Sequence, residues 1–495
     1  MKTQISPGIV FGVITGYFII LLIISYFTTR KVKFHTFFNA NKNSPWYLVA
    51  FGMIGASLSG VTFISVPGEV GNSGFSYFQI VLGYLLGYIV IANVLMPLYY
   101  KLNLISIYSY LEKRFGYYTY KTGSVFFIIS QTIGASFRLF LVSMVLQIGF
   151  FDAFNIPFFI TVLITIGLIW IYTFRGGIKT IVYTDTLQTM FMLLSVIISI
   201  FIISDYLDIK GIAILDTIKE SKMSDIFNWD WRSEHFFLKQ FFAGAFIAIV
   251  MTGLDQNMMQ KNLTCKTLKE AKKNMYWFSF SLIFVNLLFL SLGVLLYLYA
   301  GKIGYSLPVD EVTGKYLNTD HLFPDLAINY FSIFPAIIFL IGITAAAFSS
   351  ADSALTALTT SFCYDFLNIE NLDKNKRKKV KNSVHIGFSI LMMLVIVIFK
   401  MINNDSVINQ IFTFAGYTYG PLLGFYSFGL FTKRLVLKEK LVPFIAIASP
   451  ILTFFIDKYS EYLLFGYKMG FELLILNGLI TFTGLLLLSR RNGKI

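Results

Sequence analysis

Hydroxyl and carboxylate side chains are concentrated in one apolar stretch of the chain, ITAAAFSSADSALT at residues 343–356. On a helix, Ser349, Asp352 or Ser353, and Thr356 lie on one face, because residues three, four and seven apart point the same way. A carboxylate at the centre of a membrane helix costs about 2.5–3.5 kcal/mol, so such a stripe is expected to bind a ligand. Oxygen ligands suit a hard cation such as sodium. The stripe therefore predicts a cation site.

The composition places this stretch inside a membrane. Of the 495 residues, 56% are hydrophobic and 13% are charged, and the mean hydropathy is +0.70, whereas soluble domains carry about 25% charged residues. The apolar segments are long enough to cross a bilayer as helices. An all-α integral membrane protein is predicted.

The hydropathy pattern predicts thirteen membrane spans, at residues 8–28, 46–71, 76–99, 121–150, 157–174, 178–203, 239–260, 275–300, 325–363, 381–401, 406–431, 440–457 and 468–489. Basic residues cluster in alternate loops: Arg30, Lys31 and Lys33; Lys113 and Arg114; Arg175 and Lys179; Lys266, Lys269, Lys272 and Lys273; Lys374–Lys381; Lys433 and Arg434; Arg490 and Arg491. Cytoplasmic loops carry such an excess, so the N-terminus is predicted outside and the C-terminus in the cytoplasm. The same pattern accounts for the net charge of +14, so we expect contact with the lipid bilayer and no nucleic-acid partner. The stretch 102–115 is expected to lie as a short amphipathic helix on the cytoplasmic surface.

Two predicted spans contain residues that interrupt helices. The second span includes GASLSGVTFISVPGEVG at residues 55–71, and the seventh contains Gly253 and a polar end. Unwound backbone at membrane depth is tolerated only where it lines a cavity, and interruptions at matching places in two halves indicate a transporter binding site. Residues 46–203 and 239–431 are therefore predicted to form two five-helix halves of opposite topology. A leading helix, 8–28, precedes them, and two trailing helices, 440–489, follow.

Arg138 lies near the middle of the fourth predicted span, in GASFRLFLVSM. An arginine at this depth must face the bundle interior or a water-filled cavity. Its guanidinium is suited to a substrate carboxylate, but it could equally pair with a buried carboxylate of the chain. The sequence contains no HExxH, GxSxG or GxxxxGK[ST] motif, so neither a membrane enzyme nor an ATP-driven pump is expected.

Four segments resemble the motifs of the sodium/solute symporter family: GGIKTIVYTDTLQ (176–188), SLSGVTFISVP (57–67), AAAFSSADSAL (345–355) and DQNMMQK (255–261). The resemblance covers nearly the whole chain. It implies a single transporter domain, 1–495, with the five-plus-five inverted-repeat fold of the leucine transporter, one leading helix and two trailing helices. It also implies sodium-driven uptake of a small solute, with sodium as the coupling ion, no other cofactor and no obligate protein partner. A bacterial inner membrane is the expected location.

The resemblance also implies site residues. One sodium would be held by the carbonyl groups of Gly55, Leu58 and Ala346 and by the hydroxyls of Ser349 and Ser350. Some members carry a second sodium, for which the matching residues are Asp185, Ser349, Asp352 and Ser353.

Asp352 departs from members that have serine at its position. It could strengthen the second site, take a proton or pair with another cation. Asp185 could instead be a structural carboxylate hydrogen-bonded to Thr184 or Gln188.

For the solute, the register is nearest to the bacterial sialic acid transporters of the family, which have an arginine at the same separation from the aspartate of the TD pair as Arg138 from Asp185. Ser59 and Thr62 resemble their contacts on the broken helix. Gln79 is near the position of their glutamine but out of register. The resemblance therefore favours a carboxylate-bearing sugar acid. A neutral sugar or another small solute, and a non-transporting sensor or channel on the same fold, are the alternatives.

Overall fold

Apolar helices make up most of the molecule. The structure, a computed structural model, describes residues 6–29, 42–402 and 406–490, and it describes the side chains at all of these positions except 28, 29, 172–177, 179 and 374. Arg30, Lys31, Lys33 and Arg491, which the sequence places in the cytoplasm, lie outside the described residues.

Up to residue 220, the helices are α1 (Pro7–Thr29), α2 (Trp46–Ser57), α3 (Gly60–Ser73), α4 (Tyr77–Val90), α5 (Met96–Leu102), α6 (Ser109–Arg114), α7 (Tyr117–Leu146), α8 (Phe158–Tyr206) and α9 (Ala213–Glu220). From residue 237 onward, they are α10 (Phe237–Ala248), α11 (Gln256–Asn262), α12 (Leu268–Ile303), α13 (Leu322–Asn329), α14 (Ile333–Ser361), α15 (Lys374–Ile402), α16 (Val407–Thr418), α17 (Gly420–Phe431), α18 (Val442–Lys458), α19 (Ser460–Leu463) and α20 (Leu473–Leu487). Single π-helical turns extend α4, α7, α10 and α14, at Ile91–Leu95, Gln147–Phe151, Ile249–Gly253 and Phe362–Phe366. Two short strands, β1 (Leu435–Val436) and β2 (Ser489–Arg490), pair antiparallel.

The thirteen predicted spans are compatible with these helices. Within the described residues, eight helical stretches are long and apolar enough to cross a membrane, and α10 with α11 forms one further span that bends by 69°. Four shorter apolar helices lie where the other predicted spans fall, at Trp46–Ser57, Phe158–Ile171, Gly420–Phe431 and Leu473–Leu487.

Two predicted boundaries differ from the structure. Residues 157–203, predicted as two spans, form one uninterrupted helical run, α8. The ninth span begins at Ile333 and not at residue 325, because α13 ends at Asn329 and Ser332 is extended. Arg175, Gly176, Gly177 and Lys179 predict a loop within α8, but such propensities are weak and tertiary context overrides them. The start of the ninth span depends on the backbone conformation at Ser332, which hydropathy does not report.

The stretch 102–115 exposes Glu112 and Lys113 but buries its apolar side against the rest of the protein. Its helical part is only α6, and Ile107, Tyr108 and Leu111 are fully buried. The Gln256 side chain accepts from the Ile107 N–H at 2.9 Å, and the Tyr108 hydroxyl donates to the Leu254 carbonyl at 2.9 Å. The apolar face of this segment therefore packs on the junction between α10 and α11 rather than on lipid.

Glycine allows α4 and α10 to pack with their backbones in contact. A Cβ atom on Gly83 would lie 2.0 Å from the Phe241 carbonyl oxygen, and one on Gly244 would lie 2.2 Å from the Ile80 carbonyl oxygen. Small residues at helix contacts provide this close approach in membranes, where no hydrophobic effect drives helices together. The contact fixes the first part of the seventh span, and the break described below lies after it.

The serine-rich helix α14 lies at the centre of the molecule. Every side chain from Gly342 to Ser361 is buried, and α14 contacts α1, α2, α3, α7, α8, α11 and α15. The stripe of hydroxyls and carboxylate found in the sequence is thus surrounded by protein and does not face lipid.

Candidate functional site

The predicted interruption of the second span is confirmed, and it falls between α2 and α3. Leu58 (φ −85°, ψ 74°) and Ser59 (φ −73°, ψ −177°) are both non-helical. The Leu58 N–H donates to the Ile54 carbonyl at 2.8 Å, so the carbonyl groups of α2 from Gly55 onward follow the last helical hydrogen bond. The final carbonyls of a helix have no intrahelical partner, and at membrane depth they need another ligand.

The residues of the first predicted sodium site lie on two helices in contact, α2 and α14. Ala346, Ser349 and Ser350 are each at most 1% exposed. The Ser350 hydroxyl donates to the Ala346 carbonyl at 3.3 Å, and its oxygen keeps lone pairs that can accept a cation. Gly55 lets α2 approach α8, because a Cβ there would lie 2.1 Å from Thr189 Oγ1.

Asp185 forms a buried ion pair that the sequence did not predict. Its Oδ2 atom lies 2.6 Å from Lys261 Nζ, and its Oδ1 atom accepts from the Ser349 hydroxyl at 2.7 Å. Both members of the pair are at most 1% exposed. Thr184 bonds instead to the backbone carbonyls of residues 180 and 181. The predicted structural partners of Asp185, Thr184 and Gln188, are therefore replaced by Lys261 and Ser349.

The other residues of the second predicted site lie beside this pair. The Ser353 hydroxyl donates to Asp352 Oδ1 at 3.1 Å, and Ser353 also interacts with Asp185. The described residues of this cluster thus include two buried carboxylates and the Lys261 ammonium group.

The sequence patterns do not predict Lys261 as a site residue, because the seventh predicted span ends at residue 260. The break at Leu254 and Asp255 turns α11 by 69°, and all seven residues of that helix, Gln256–Asn262, are buried. The available signal was the polar run DQNMMQKN directly after an apolar span, since buried polar side chains on a short helix need partners inside the bundle.

A cavity lined by both polar and apolar side chains adjoins the broken helix. It is lined by Ser59 and Thr62, by Arg138 of α7, by Asp255 at the break between α10 and α11, and by Tyr419 between α16 and α17. Three helix interruptions therefore meet at one cavity, and three of the four predicted solute-binding residues lie in its wall.

The guanidinium of Arg138 has hydrogen-bond donors available to a ligand in this cavity. None of the ion pairs among the described residues includes it. The charged and phenolic groups with which it interacts electrostatically are Asp255 and Tyr419. The Asp255 carboxylate is itself engaged, accepting from the Tyr419 hydroxyl at 2.6 Å and from the Met258 N–H at 3.1 Å.

Gln79, the fourth predicted solute contact, is not part of the cavity wall. Its amide nitrogen donates to the carbonyls of Ser76 and His235 at 3.2 and 3.0 Å, and its oxygen accepts from the Asn228 N–H at 3.2 Å. The side chain therefore fastens the segment before α10 to the start of α4.

The helix bundle, the interrupted spans and the cavity beside a cluster of oxygen ligands together define a secondary transporter. The sequence model of the Sodium:solute symporter family matches residues 37–442, and the chain belongs to this family. It is thus an integral membrane transporter with sodium and a small solute as its ligands, and not an enzyme.

Similar proteins support the same assignment. The sodium/sialic acid symporter NanT of Aliivibrio fischeri is 25% identical over 446 residues, which cover 86% of this chain and 83% of NanT. The sodium/sialic acid symporter SiaT of Proteus mirabilis is 24% identical over 434 residues, covering 86% of this chain and 85% of SiaT. Among solved structures, a substrate-bound, outward-open state of a Na+-coupled sialic acid symporter superimposes with a TM-score of 0.79 and 21% identity, covering 96% of each chain. The fold is therefore the five-plus-five inverted-repeat type predicted from the sequence.

Proposed function

We propose that this symporter takes up a carboxylate-bearing sugar acid, such as sialic acid, together with sodium. The observation that carries the proposal is Arg138, which lies in the cavity wall without an ion-pair partner among the described residues. A guanidinium at this depth is costly unless an anion compensates it, and its planar fork matches a carboxylate with two parallel hydrogen bonds. The names of NanT and SiaT agree with such a solute.

The lining of the cavity supports a sugar acid over an anion that has no hydroxyl or amide groups. Hydroxyl and amide groups line it at several points: Ser57, Ser59, Thr62, Tyr84, Tyr88, Gln131, Thr252, Asn257 and Asn286. Such a surface offers hydrogen bonds to a polyhydroxylated ring. A neutral sugar would use the same groups but would offer no carboxylate to the hydrogen-bond donors of Arg138.

The coupling sodium is proposed to bind between α2 and α14, held by the Gly55, Leu58 and Ala346 carbonyls and the Ser349 and Ser350 hydroxyls. The carbonyls that follow the last hydrogen bond of α2 and the buried hydroxyls of α14 supply the oxygen ligands that sodium needs. Ser59 and Thr62 lie just beyond the same break. Because sodium and solute would share one broken helix, each is expected to raise the affinity for the other.

The energy of one sodium ion is sufficient for concentrative uptake. Moving one charge inward through 100 mV releases about 2.3 kcal/mol, and a tenfold sodium gradient adds about 1.4 kcal/mol. Together these correspond to roughly a 500-fold accumulation of a neutral solute. A solute with one negative charge cancels the charge of the ion, so one sodium then supplies only its gradient and supports about tenfold accumulation. The inward direction assumes the predicted topology, with the N-terminus outside, the C-terminus in the cytoplasm and a bacterial inner membrane as the location.

Uptake by purified protein in liposomes tests the proposal. An inward sodium gradient is expected to drive accumulation of labelled sialic acid, and replacing sodium with potassium is expected to abolish it. Sodium-independent flux, or binding of the acid without accumulation, would instead indicate a channel or a sensor. Accumulation of a neutral sugar in preference to the acid would replace the proposed solute.

We predict that Ser350→Ala lowers the apparent affinity for sodium by about tenfold or more, because the variant loses one of the five proposed oxygen ligands. Alanine packs well in a helix, so the folded protein is expected to persist. Sodium titration of uptake, together with thermal unfolding, measures both effects.

Ser124→Ala is the matched control for this prediction. Ser124 is fully buried in α7, and its hydroxyl makes the same type of intrahelical bond, to the Tyr120 carbonyl at 3.1 Å. It lies outside the proposed sodium site, so its sodium titration is expected to match that of the native chain. Equal sodium affinities in the native, Ser350→Ala and Ser124→Ala proteins would remove Ser350 from the sodium site.

A further inference from the structure

Asp255 is a buried carboxylate in the wall of the solute cavity, and neither sodium binding nor the proposed role of Arg138 uses it. It is 2% exposed, and it occupies the break between α10 and α11 as the N-terminal cap of α11. One oxygen accepts from the Tyr419 hydroxyl at 2.6 Å, and the other accepts from the Met258 N–H at 3.1 Å. A carboxylate has about four acceptor positions, so it can accept further hydrogen bonds from the cavity side.

Arg138 and Asp255 give the cavity two charges of opposite sign. They interact electrostatically but are not among the ion pairs of the described residues. Each charge is therefore available to a ligand placed between or beside them. A solute that puts its carboxylate on Arg138 brings a negative charge toward Asp255, which is unfavourable in a site shielded from water.

That repulsion is offset only when the rest of the solute presents hydrogen-bond donors to Asp255. Hydroxyl or amide N–H groups make charge-assisted bonds to a carboxylate, which are roughly twice as strong as neutral ones. An acid with an apolar body offers no donor and leaves the buried carboxylate facing it without compensation, which is costly. Polar groups built to bond a ligand hydroxyl discriminate strongly against analogues that lack it.

We propose that Asp255 is a specificity-determining residue, selecting acids that carry hydroxyl or amide donors and rejecting simple aliphatic acids and inorganic anions. This inference rests on the proposed binding of the solute carboxylate by Arg138. It deepens that proposal, because it states what the other end of the solute must contain.

A pair of ring acids of similar size tests the selectivity. D-glucuronate carries ring hydroxyls, whereas cyclohexanecarboxylate has none. Competition against labelled sialic acid in liposomes is expected to show native protein preferring glucuronate by at least about tenfold. Equal inhibition by the two acids, or stronger inhibition by cyclohexanecarboxylate, would overturn the role of Asp255 without any variant being made.

Asp255→Asn is then expected to reduce the preference for glucuronate by about tenfold or more, with part of the change coming from stronger binding of cyclohexanecarboxylate. Asparagine is as good an N-terminal cap as aspartate when its oxygen accepts from the Met258 N–H. Its NH2 group can donate to the Tyr419 oxygen in place of the bond that this hydroxyl gives to Asp255, so the fold should persist. Asp320 is another buried carboxylate that accepts from a backbone N–H, that of Val407 at 2.9 Å, but it lies outside the wall of this cavity. Asp320→Asn is therefore expected to leave the ratio between the two acids unchanged. A folded Asp255→Asn protein with the native ratio would show that Asp255 only caps α11 and balances Arg138.

The result also separates this inference from the proposed function. If the native protein binds acids through Arg138 but the ratio does not depend on residue 255, only the specificity role falls. If Arg138→Gln binds both acids as the native protein does, the proposed function falls, and the role of Asp255 falls with it.

Discussion

Asp185→Asn is expected to destabilise the protein by about 3–5 kcal/mol, because it leaves the Lys261 ammonium buried without its counter-charge. The two groups are 2.6 Å apart and almost fully buried. Removing one partner of such a pair exposes the other to the full cost of desolvation. Thermal unfolding in detergent measures the change, and a large fall in melting temperature is the expected result.

The double variant Asp185→Asn with Lys261→Met provides the decisive control. It removes both charges and keeps the volume of the lysine chain, so most of the lost stability is expected to return, because apolar replacement of a buried pair is often neutral. Asp208→Asn, which disrupts an exposed ion pair with Lys302, is expected to change little. An Asp185→Asn protein as stable as the native chain would show that the buried Lys261 ammonium does not need the Asp185 carboxylate as its counter-charge.

The same double variant addresses the second sodium. With Asp185 and Lys261 both neutral, Asp352 remains as the buried carboxylate of the cluster, beside Ser353. If a second sodium is coupled through Asp352, the sodium dependence of uptake in the double variant should keep a Hill coefficient above one. A coefficient of one in both native and double-variant protein would leave a single coupling ion.

Much of the fold could be predicted from the sequence because its determinants are local. Hydropathy locates the spans, and the helix breaks at Leu58–Ser59 and Leu254–Asp255 lie next to Gly60 and Gly253, which the sequence predicts as interruptions. Pro67 and Gly68, also predicted to interrupt the second span, lie within the continuous helix α3. Arg138 could be placed in a cavity wall because few other positions are tolerable for an arginine at membrane depth.

The features that the sequence does not predict depend on how one helix is oriented relative to another, which sequence patterns do not encode. The position of Lys261 follows from the 69° bend that turns α11 inward. Gln79 is polar and close to the predicted solute contacts in sequence, yet its bonds to Asn228 and His235 hold a loop. The pairing of Lys261 with Asp185 joins residues 76 positions apart, and no periodicity within either segment indicates it.

Arg138→Gln is expected to abolish saturable uptake of an acidic solute while leaving sodium-induced stabilisation intact. The variant removes the cavity's guanidinium but keeps a polar side chain, and the proposed sodium ligands lie on other helices, α2 and α14. Arg138→Lys keeps the charge but loses the two-pronged geometry, so solute affinity is expected to fall by about tenfold or more. Uptake kinetics and thermal unfolding with sodium measure the two effects separately.

A neutral analogue shows whether Arg138 acts through the solute's carboxylate. Native protein is expected to bind sialic acid much more tightly than its methyl ester, and Arg138→Gln should bind the two equally weakly. Gln131→Ala, which alters an uncharged side chain on the same helix and in the same cavity wall, is expected to keep the native preference for the acid. If Arg138→Gln unfolds and Asp255→Asn restores it, or if Arg138→Gln binds a neutral sugar as the native protein does, Arg138 is a structural partner of Asp255. The solute is then not selected for its negative charge, because a guanidinium that serves only to balance Asp255 contributes nothing to recognising an anion.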